Sequence, residues 1–262
     1  MAAKDKNSLP INFRPYYRAI DELTDDLLAT IQPEGYDLPA RMQKRVQRLR
    51  QQLELAWIFH DSGLDGTVVS FHEMQAALSR RVVTDSSLMP LYQEICNHQE
   101  AIRHCREQAE SGRQITLEYI RELHHLLCRN LPDVQPGRYR TEIMLHRVYL
   151  HDIHRPDRIS YHLNKLVRDL YGENMESFHP IKRACEFHRV FMHIFPFYQM
   201  TGKLGRLLMN HILIAYDYFP CVLHVKDRQR YYKALNDSLD DVRLLAVESM
   251  ENTLRHATES VQ

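Results

Sequence analysis

Apolar residues recur three and four positions apart along most of the chain, which is the spacing of an amphipathic helix. The clearest stripe holds Met42, Val46, Leu49, Leu53 and Trp57 and predicts a helix of about five turns that stops near the sequence DSGLDG. Alternating runs are scarce, and only 8 of the 262 residues are glycine. The pattern therefore predicts an all-α protein rather than a sheet-based fold.

Similar stripes predict the remaining helices. They fall at residues 70–79, 86–112, 115–131, 157–172, 179–195, 205–216 and 227–257. The segment 141–156 differs, because its apolar residues suit an extended chain and predict one small β-hairpin. The hairpin residues are Ile143, Leu145, Val148 and Leu150. No repeat, low-complexity tract or linker divides the chain, which indicates one domain with an N-terminal helical extension.

The charge balance narrows the choice of partners. Lys+Arg and Asp+Glu both number 34, so no bulk charge attracts the chain to nucleic acid or to a membrane. The five cysteines are scattered and odd in number, which predicts reduced thiols. The start of the sequence is charged where a secretory signal needs an apolar stretch, and no later run stays apolar for about 18 residues. We therefore expect a soluble, cytoplasmic protein.

The sequence TGKLGR, residues 201–206, carries the chemistry of an anion-binding loop. Gly202 and Gly205 would let the backbone approach a ligand and adopt positive φ, and a helix start favours an anion. Lys203 and Arg206 add two cations, and Thr201 precedes them. The spacing GxxxxGK[ST] is missing, so taken alone the pattern fits an ordinary helix start better than a phosphate site.

The run ACEFHRVFMHIFPFYQMTGKLGRLLMN, residues 184–210, resembles the helix-loop-helix signature of the Fic family. The matching positions are Ala184, His188, Phe191, Ile194, Pro196, Phe197, Gly202, Arg206, Leu207, Leu208, Met209 and Asn210. Further segments agree in the same order, so the resemblance extends from about Ala56 to Leu235. It implies a Fic-type helical core at 56–262 with one hairpin flap, preceded by the N-terminal helical extension at 1–55. His188 matches a position that looks structural in this family, buried beneath the loop.

The chain departs from the family pattern at the positions that carry out catalysis in family enzymes. Family enzymes use a motif histidine as general base while AMP is transferred from ATP to a protein hydroxyl, and that position here is Phe195. A benzyl ring accepts no proton. The acidic residue that holds magnesium in the family is Gln199, a neutral amide that is poorly suited to a hard cation. We therefore expect no metal site and no adenylyl transfer by the family route.

Two residues leave alternatives open. His193 could replace the missing base, but sliding it into register would break the matches at His188, Phe191 and Pro196. Asp65-Gly66 falls where many Fic proteins have an inhibitory Glu-Gly, and the resemblance implies that Asp65 could pair with Arg206. The same residues fit equally well a plain helix stop that is capped by Asp61, Ser62 and Gly66.

Clustered histidines and tyrosines suggest further sites. His146, His151 and His154 crowd the hairpin, where exposed flap residues are a better interpretation than metal ligands. Tyr231 and Tyr232 lie where a nucleotide base could stack in the family pocket. Two aromatic residues at the buried edge of a helix would show the same sequence.

The sequence thus predicts a degenerate Fic protein, a pseudoenzyme that retains a loop able to bind phosphate or a nucleotide such as ATP, or that serves as a protein-interaction scaffold. Its protein partner or target would dock on the flap, residues 143–155, and neither nucleic acid nor membrane is expected. The alternative is an active transferase with a rewired base, which modifies protein hydroxyls with AMP or from another phosphate donor. Whether the chain self-associates is left open.

Overall fold

The computed structural model describes residues 11–33, 35, 37–79, 86–144 and 151–261. These residues form helices joined by short connections, and no β-strand occurs among them. The helices are α1 (Arg14–Ile31), α2 (Ala40–Leu64), α3 (Phe71–Leu78), α4 (Met89–Glu110), α5 (Leu117–Cys128), α6 (Ile159–Leu170), α7 (Glu173–Glu176), α8 (Pro180–Ile194), α9 (Thr201–Ile214), α10 (Arg228–Asp237) and α11 (Leu239–Val261). The prediction of a helical fold is confirmed.

Helix α9 lies at the centre of the molecule. All of its residues are buried, because α8, α4 and α5 pack around it. Helix α11 packs on the outer side of α8 and also contacts α1, α2 and α10, while α6 covers another face of α8. The loop between α8 and α9 is thus held on a rigid helical core. None of the described helices is both long and apolar enough to cross a bilayer.

The predicted hairpin is not seen in the described part of the chain. Its centre, which includes Leu145, His146, Val148 and Leu150, falls in residues 145–150 outside the described ranges. The described ends bond elsewhere: the Arg140 amide donates to Pro196 O at 2.9 Å, and the His154 amide donates to His193 O at 2.8 Å. The backbone there is satisfied by α8 and the loop after it rather than by a strand partner.

One predicted boundary is corrected. The helix predicted at 227–257 is two helices, because Ser238 is extended at φ −154° and ψ 162° and its hydroxyl accepts the Asp241 amide at 3.1 Å, a helix N-cap. Helix α2 ends at Leu64, within the predicted stop at DSGLDG. It also runs unbroken through the proposed division between residues 55 and 56, so that division stays a prediction.

Candidate functional site

The loop between α8 and α9 is built on two left-handed residues that are not glycine. Phe195 (φ 47°, ψ 66°) ends α8, and Met200 (φ 59°) precedes α9. Gly202 and Gly205 lie inside α9 with helical backbone, so the expectation of positive φ at these glycines is wrong. The helix begins at Thr201, before either glycine, and the reversal of the chain therefore falls on the preceding residues.

The two glycines instead permit close packing. A Cβ on Gly205 would lie 3.1 Å from both Met192 Sδ and Phe191 Cδ1, so this glycine lets α9 approach α8. A Cβ on Gly202 would lie 2.7 Å from Asp65 Oδ1. The space beside Gly202, where a ligand was expected to approach the backbone, is occupied by the chain's own carboxylate.

Lys203 and Arg206 are buried and paired with internal carboxylates. Arg206 Nε donates to Asp61 Oδ1 at 2.6 Å, and Arg206 Nη2 donates to Asp65 Oδ1 at 2.9 Å. Lys203 Nζ lies 3.2 Å from Asp65 Oδ2 and 3.1 Å from Glu94 Oε1. Asp65 thus bridges the two cations. It is also the C-cap of α2, and Gly66 follows at φ 92°. The ion pair with Arg206 and the helix stop, which the sequence left as alternatives, are therefore both present.

The electrostatics of this group favour the ionised pairs. Burial would raise the pKa of Asp61, but Arg206 and His98 lower this pKa to about 2. Burial likewise opposes ionisation of Asp65, yet Arg206 and Lys203 hold its pKa below the ordinary value. Burial lowers the pKa of His98, which keeps its imidazole neutral. Three carboxylates therefore face two cations, and the group carries one excess negative charge.

Three members of this cluster were not singled out by sequence reasoning. His98 Nε2 lies 3.3 Å from Asp61 Oδ2, and the indole N–H of Trp57 donates to the same oxygen at 3.2 Å. Glu94 reaches Lys203 from the same helix as His98. Their spacing could have pointed to two of them, because Glu94 and His98 lie four residues apart on α4, in line with the apolar residues that face α9.

Phe195 and His193 do not supply a proton acceptor in this arrangement. Phe195 is 3% exposed, and Arg140 Nε donates to its carbonyl oxygen at 2.7 Å. His193 Nδ1 lies 2.8 Å from Asp152 O, and His193 Nε2 lies 3.0 Å from Leu235 O. Both ring nitrogens of His193 thus contact backbone carbonyl oxygens that lie outside the loop between α8 and α9.

The other predicted site residues support the loop from within. The Thr201 hydroxyl donates to Phe197 O at 2.9 Å and accepts the Phe197 amide at 3.2 Å. Tyr231 is buried, with its hydroxyl 2.8 Å from His188 Nε2. Burial lowers the pKa of His188 to about 4, and this fully buried histidine lies beneath the loop as expected.

Tyr232 lies at the carboxyl end of α2. Its hydroxyl donates to Leu64 O at 3.0 Å, and the guanidinium of Arg228 donates to the same oxygen at 2.8 Å. This aromatic ring is therefore tied to the segment that carries Asp65, so the same turn is held from two sides.

The residues present do not fit a magnesium ion. The side chain of Gln199 offers only a neutral amide, and the nearby carboxylates already contact cations. Within the described ranges, no three His, Cys, Asp or Glu side chains are grouped to hold a metal. His151 is completely buried and donates to Met192 O at 2.8 Å, so the expectation of exposed flap histidines is wrong for it. His146 lies outside the described residues.

A cleft of about 470 Å³ adjoins the loop. Tyr198, Gln199, His124, Arg138 and Glu142 are among its lining residues, whereas Lys203 and Arg206 are not. This cleft is thus separated from the two buried cations, Lys203 and Arg206.

These features define the class of protein: the described residues form an all-helical fold in which a loop joins two central helices. The second of these helices begins with two cations that carboxylates of the same chain neutralise. Residues 114–213 match the model of the Fic/DOC family. The Protein adenylyltransferase Fic of Drosophila persimilis is 25% identical over 192 residues, which are 72% of this chain but 37% of that protein. The chain therefore spans less than two fifths of the length of this curated relative.

Solved structures agree on the fold. Fic-1 (aa134–508) of C. elegans superposes with a TM-score of 0.78 at 20% identity over 94% of this chain and 72% of that one. IbpAFic2, solved in complex with adenylylated Cdc42, has a TM-score of 0.50 at 13% identity over 94% and 98%. The resemblance drawn from the motif is confirmed, because residues 114–213 match the Fic/DOC family model and the helical fold superposes on solved Fic structures.

Proposed function

We propose that this chain is a Fic-domain protein that performs no adenylyl transfer as it stands and acts by binding another protein. One observation supports this above all: the buried loop cations are already neutralised by Asp61, Asp65 and Glu94. A triphosphate would have to displace these carboxylates and would meet the excess negative charge of the cluster. With Phe195 in the base position, removal of a proton from a target hydroxyl has no acceptor.

Asp65 supports a conditional form of nucleotide binding. Its side chain is 14% exposed, whereas that of Asp61 is 3% exposed. Displacement of Asp65 alone would expose Arg206 Nη2 and Lys203 Nζ at the start of α9, where a phosphate is favoured. We propose that ATP or another phosphate ligand binds only after this carboxylate has moved.

A protein partner is the second part of the proposal. IbpAFic2 binds Cdc42 in its structure, and we infer that residues 143–155 are the corresponding docking region in this chain. The ends of that region are fixed to the core, because the guanidinium of Arg140 donates to Phe195 O and Glu142 O and also bonds His154 O. All five cysteines are free thiols, which supports a cytoplasmic setting.

A competing function is retained because the curated relatives are named protein adenylyltransferases. Incubation of the purified chain with radiolabelled ATP, magnesium and a cell lysate separates the two. We expect no covalent label on any protein. Label that disappears in Lys203→Ala would overturn the proposal in favour of the transferase.

Engineered variants test the reason for inactivity. Thermal shift with ATP should show binding in Asp65→Ala but not in the original chain or in Asp25→Ala, an exposed control on α1. Label should appear only when Asp65→Ala is combined with Phe195→His and Gln199→Glu. If Phe195→His alone restores transfer, the internal carboxylates are not the barrier that we propose.

A further inference from the structure

A second cleft, of about 810 Å³, lies on the face formed by α6, α7 and α8. Its apolar lining comprises Leu166, Met175, Phe178 and Val190. None of the loop residues that carry the Fic signature lines it. The cleft is therefore distinct from the site described above.

The charges around this cleft are unequal after internal pairing. Lys165 is its one lysine or arginine, and this ammonium is ion-paired with Asp169, which also lines the cleft. Glu173 and Glu186 line it as well, and neither side chain forms an ion pair or hydrogen bond with a described residue. The cleft therefore presents two carboxylates without an ion pair beside an apolar floor, and the Lys182 ammonium lies 3.2 Å from the centroid of the Phe178 ring at its margin.

The position of the cleft connects it with the proposed docking region. His162 lines the cleft, and its ring stacks on that of His154 with centroids 3.8 Å apart and planes 9° apart. His154 belongs to the described part of the flap region, and its amide bonds His193 O. A chain that contacts His154 can thus continue into the cleft beside His162.

We propose that this cleft binds a peptide segment of a partner protein that carries lysine or arginine next to aliphatic side chains. Aliphatic groups would be removed from water on the apolar floor, and the basic group would pair with Glu173 and Glu186. The same carboxylates repel nucleic acid and the anionic surface of a membrane. The choice of a protein ligand rests on the proposed function, while the preference for a basic group rests on the cleft itself.

Fluorescence anisotropy with synthetic peptides tests this proposal. The probe is a labelled 12-residue peptide of alternating Leu and Lys or Arg, compared with a peptide in which Glu replaces every basic residue. We expect the basic peptide alone to bind, and Glu186→Gln or Glu173→Gln to weaken binding about tenfold, with a smaller effect at high salt. Val190→Lys should abolish binding, and Glu118→Gln, an exposed carboxylate outside the cleft, should change nothing.

Equal binding of the acidic peptide, or unchanged affinity in Glu186→Gln, would refute the proposal. Sedimentation in the absence of peptide addresses self-association: a dimer that Glu186→Gln dissociates would make a second copy the occupant and would also refute it. The outcome is independent of catalysis. Selective peptide binding together with ATP labelling would contradict the proposed function and leave the cleft proposal standing, whereas absence of both signals would contradict the cleft proposal alone.

Discussion

Asp61 and Asp65 contact the same guanidinium but differ in environment. The Asp61 carboxylate is enclosed by Arg206, His98 and Trp57, whereas Asp65 lies at the end of α2 with part of its carboxylate exposed. A buried charge that loses its partner costs far more free energy than a partly hydrated one. Asp61 therefore acts as the fixed counterion and Asp65 as the exchangeable one.

This difference predicts unequal effects on stability. Asp61→Asn should lower the free energy of unfolding by about 3 kcal/mol, because Arg206 keeps only one carboxylate in a buried setting. Asp65→Asn should cost about 1 kcal/mol or less, since Asp61 and Glu94 still face the cations. Urea denaturation of both variants, with exposed Asp26→Asn as control, measures this. Equal losses would contradict the assignment of roles.

Burial of His188 predicts a stability that depends on pH. Its pKa is about 4 in the folded chain and about 6.5 when unfolded, so protonation favours the unfolded state as the pH falls from 6.5 to 4. Between pH 7 and pH 5, this residue should lower the free energy of unfolding by about 2 kcal/mol. His188→Gln should flatten that part of the pH profile of unfolding. A parallel profile in the variant would show that His188 does not carry the effect.

At the level of helices, the close contact between α2 and the residues before α10 depends on Gly63. A Cβ at this position would lie 2.4 Å from Val225 Cγ2. Gly63 sits in the last turn of α2, directly between Asp61 and Asp65. The helix can therefore present both carboxylates to α9 only if this contact stays short.

We predict that Gly63→Ala destabilises the protein by about 1–2 kcal/mol, although alanine is normally the better helix residue. The added methyl group must displace Val225. Val225→Ala combined with Gly63→Ala should recover part of the loss, and a double-mutant cycle in urea measures the coupling. A more stable Gly63→Ala protein would show that the contact is relieved at no cost.

Helices were the part of the structure that could be predicted element by element. The stripe from Met42 to Trp57, the helix before Gly112 and the helix that begins at Pro180 follow from apolar spacing and end signals. The break at Ser238 was missed, because the helical pattern continues across it and only the local hydrogen bond to Asp241 marks the N-cap. The positive φ of Phe195 and Met200 was also missed, since neither residue type favours it.

At the scale of the whole molecule, helix α1 is packed into the core. Helix α1 lies along α11, and the ring of Tyr17 stacks on that of His179 at the start of α8, with centroids 4.1 Å apart. Arg243 of α11 donates to the Tyr17 hydroxyl at 2.7 Å. Contacts of this kind couple the first helix to the helices that hold the site.

This packing predicts one cooperative unfolding transition. Trp57 is the single tryptophan of the chain, and its burial beside Asp61 makes its fluorescence a report on the site. Far-UV circular dichroism reports on all helices, so the two signals should change at the same urea concentration. An earlier transition in circular dichroism would show that residues 1–55 unfold separately and would favour the two-part division of the chain.

The sequence by itself determined the helical fold and the resemblance to the Fic motif, with Phe195 and Gln199 at the positions that this resemblance aligns with a base and a metal ligand. These features depend on local periodicity and on residue identity within one short run. Tertiary structure alone decided the state of the cationic loop. Asp61 and Asp65 lie about 140 residues before Arg206, and Glu94 lies on a third helix. Whether such groups meet depends on how α2, α4 and α9 pack, and no spacing along the chain encodes that distance.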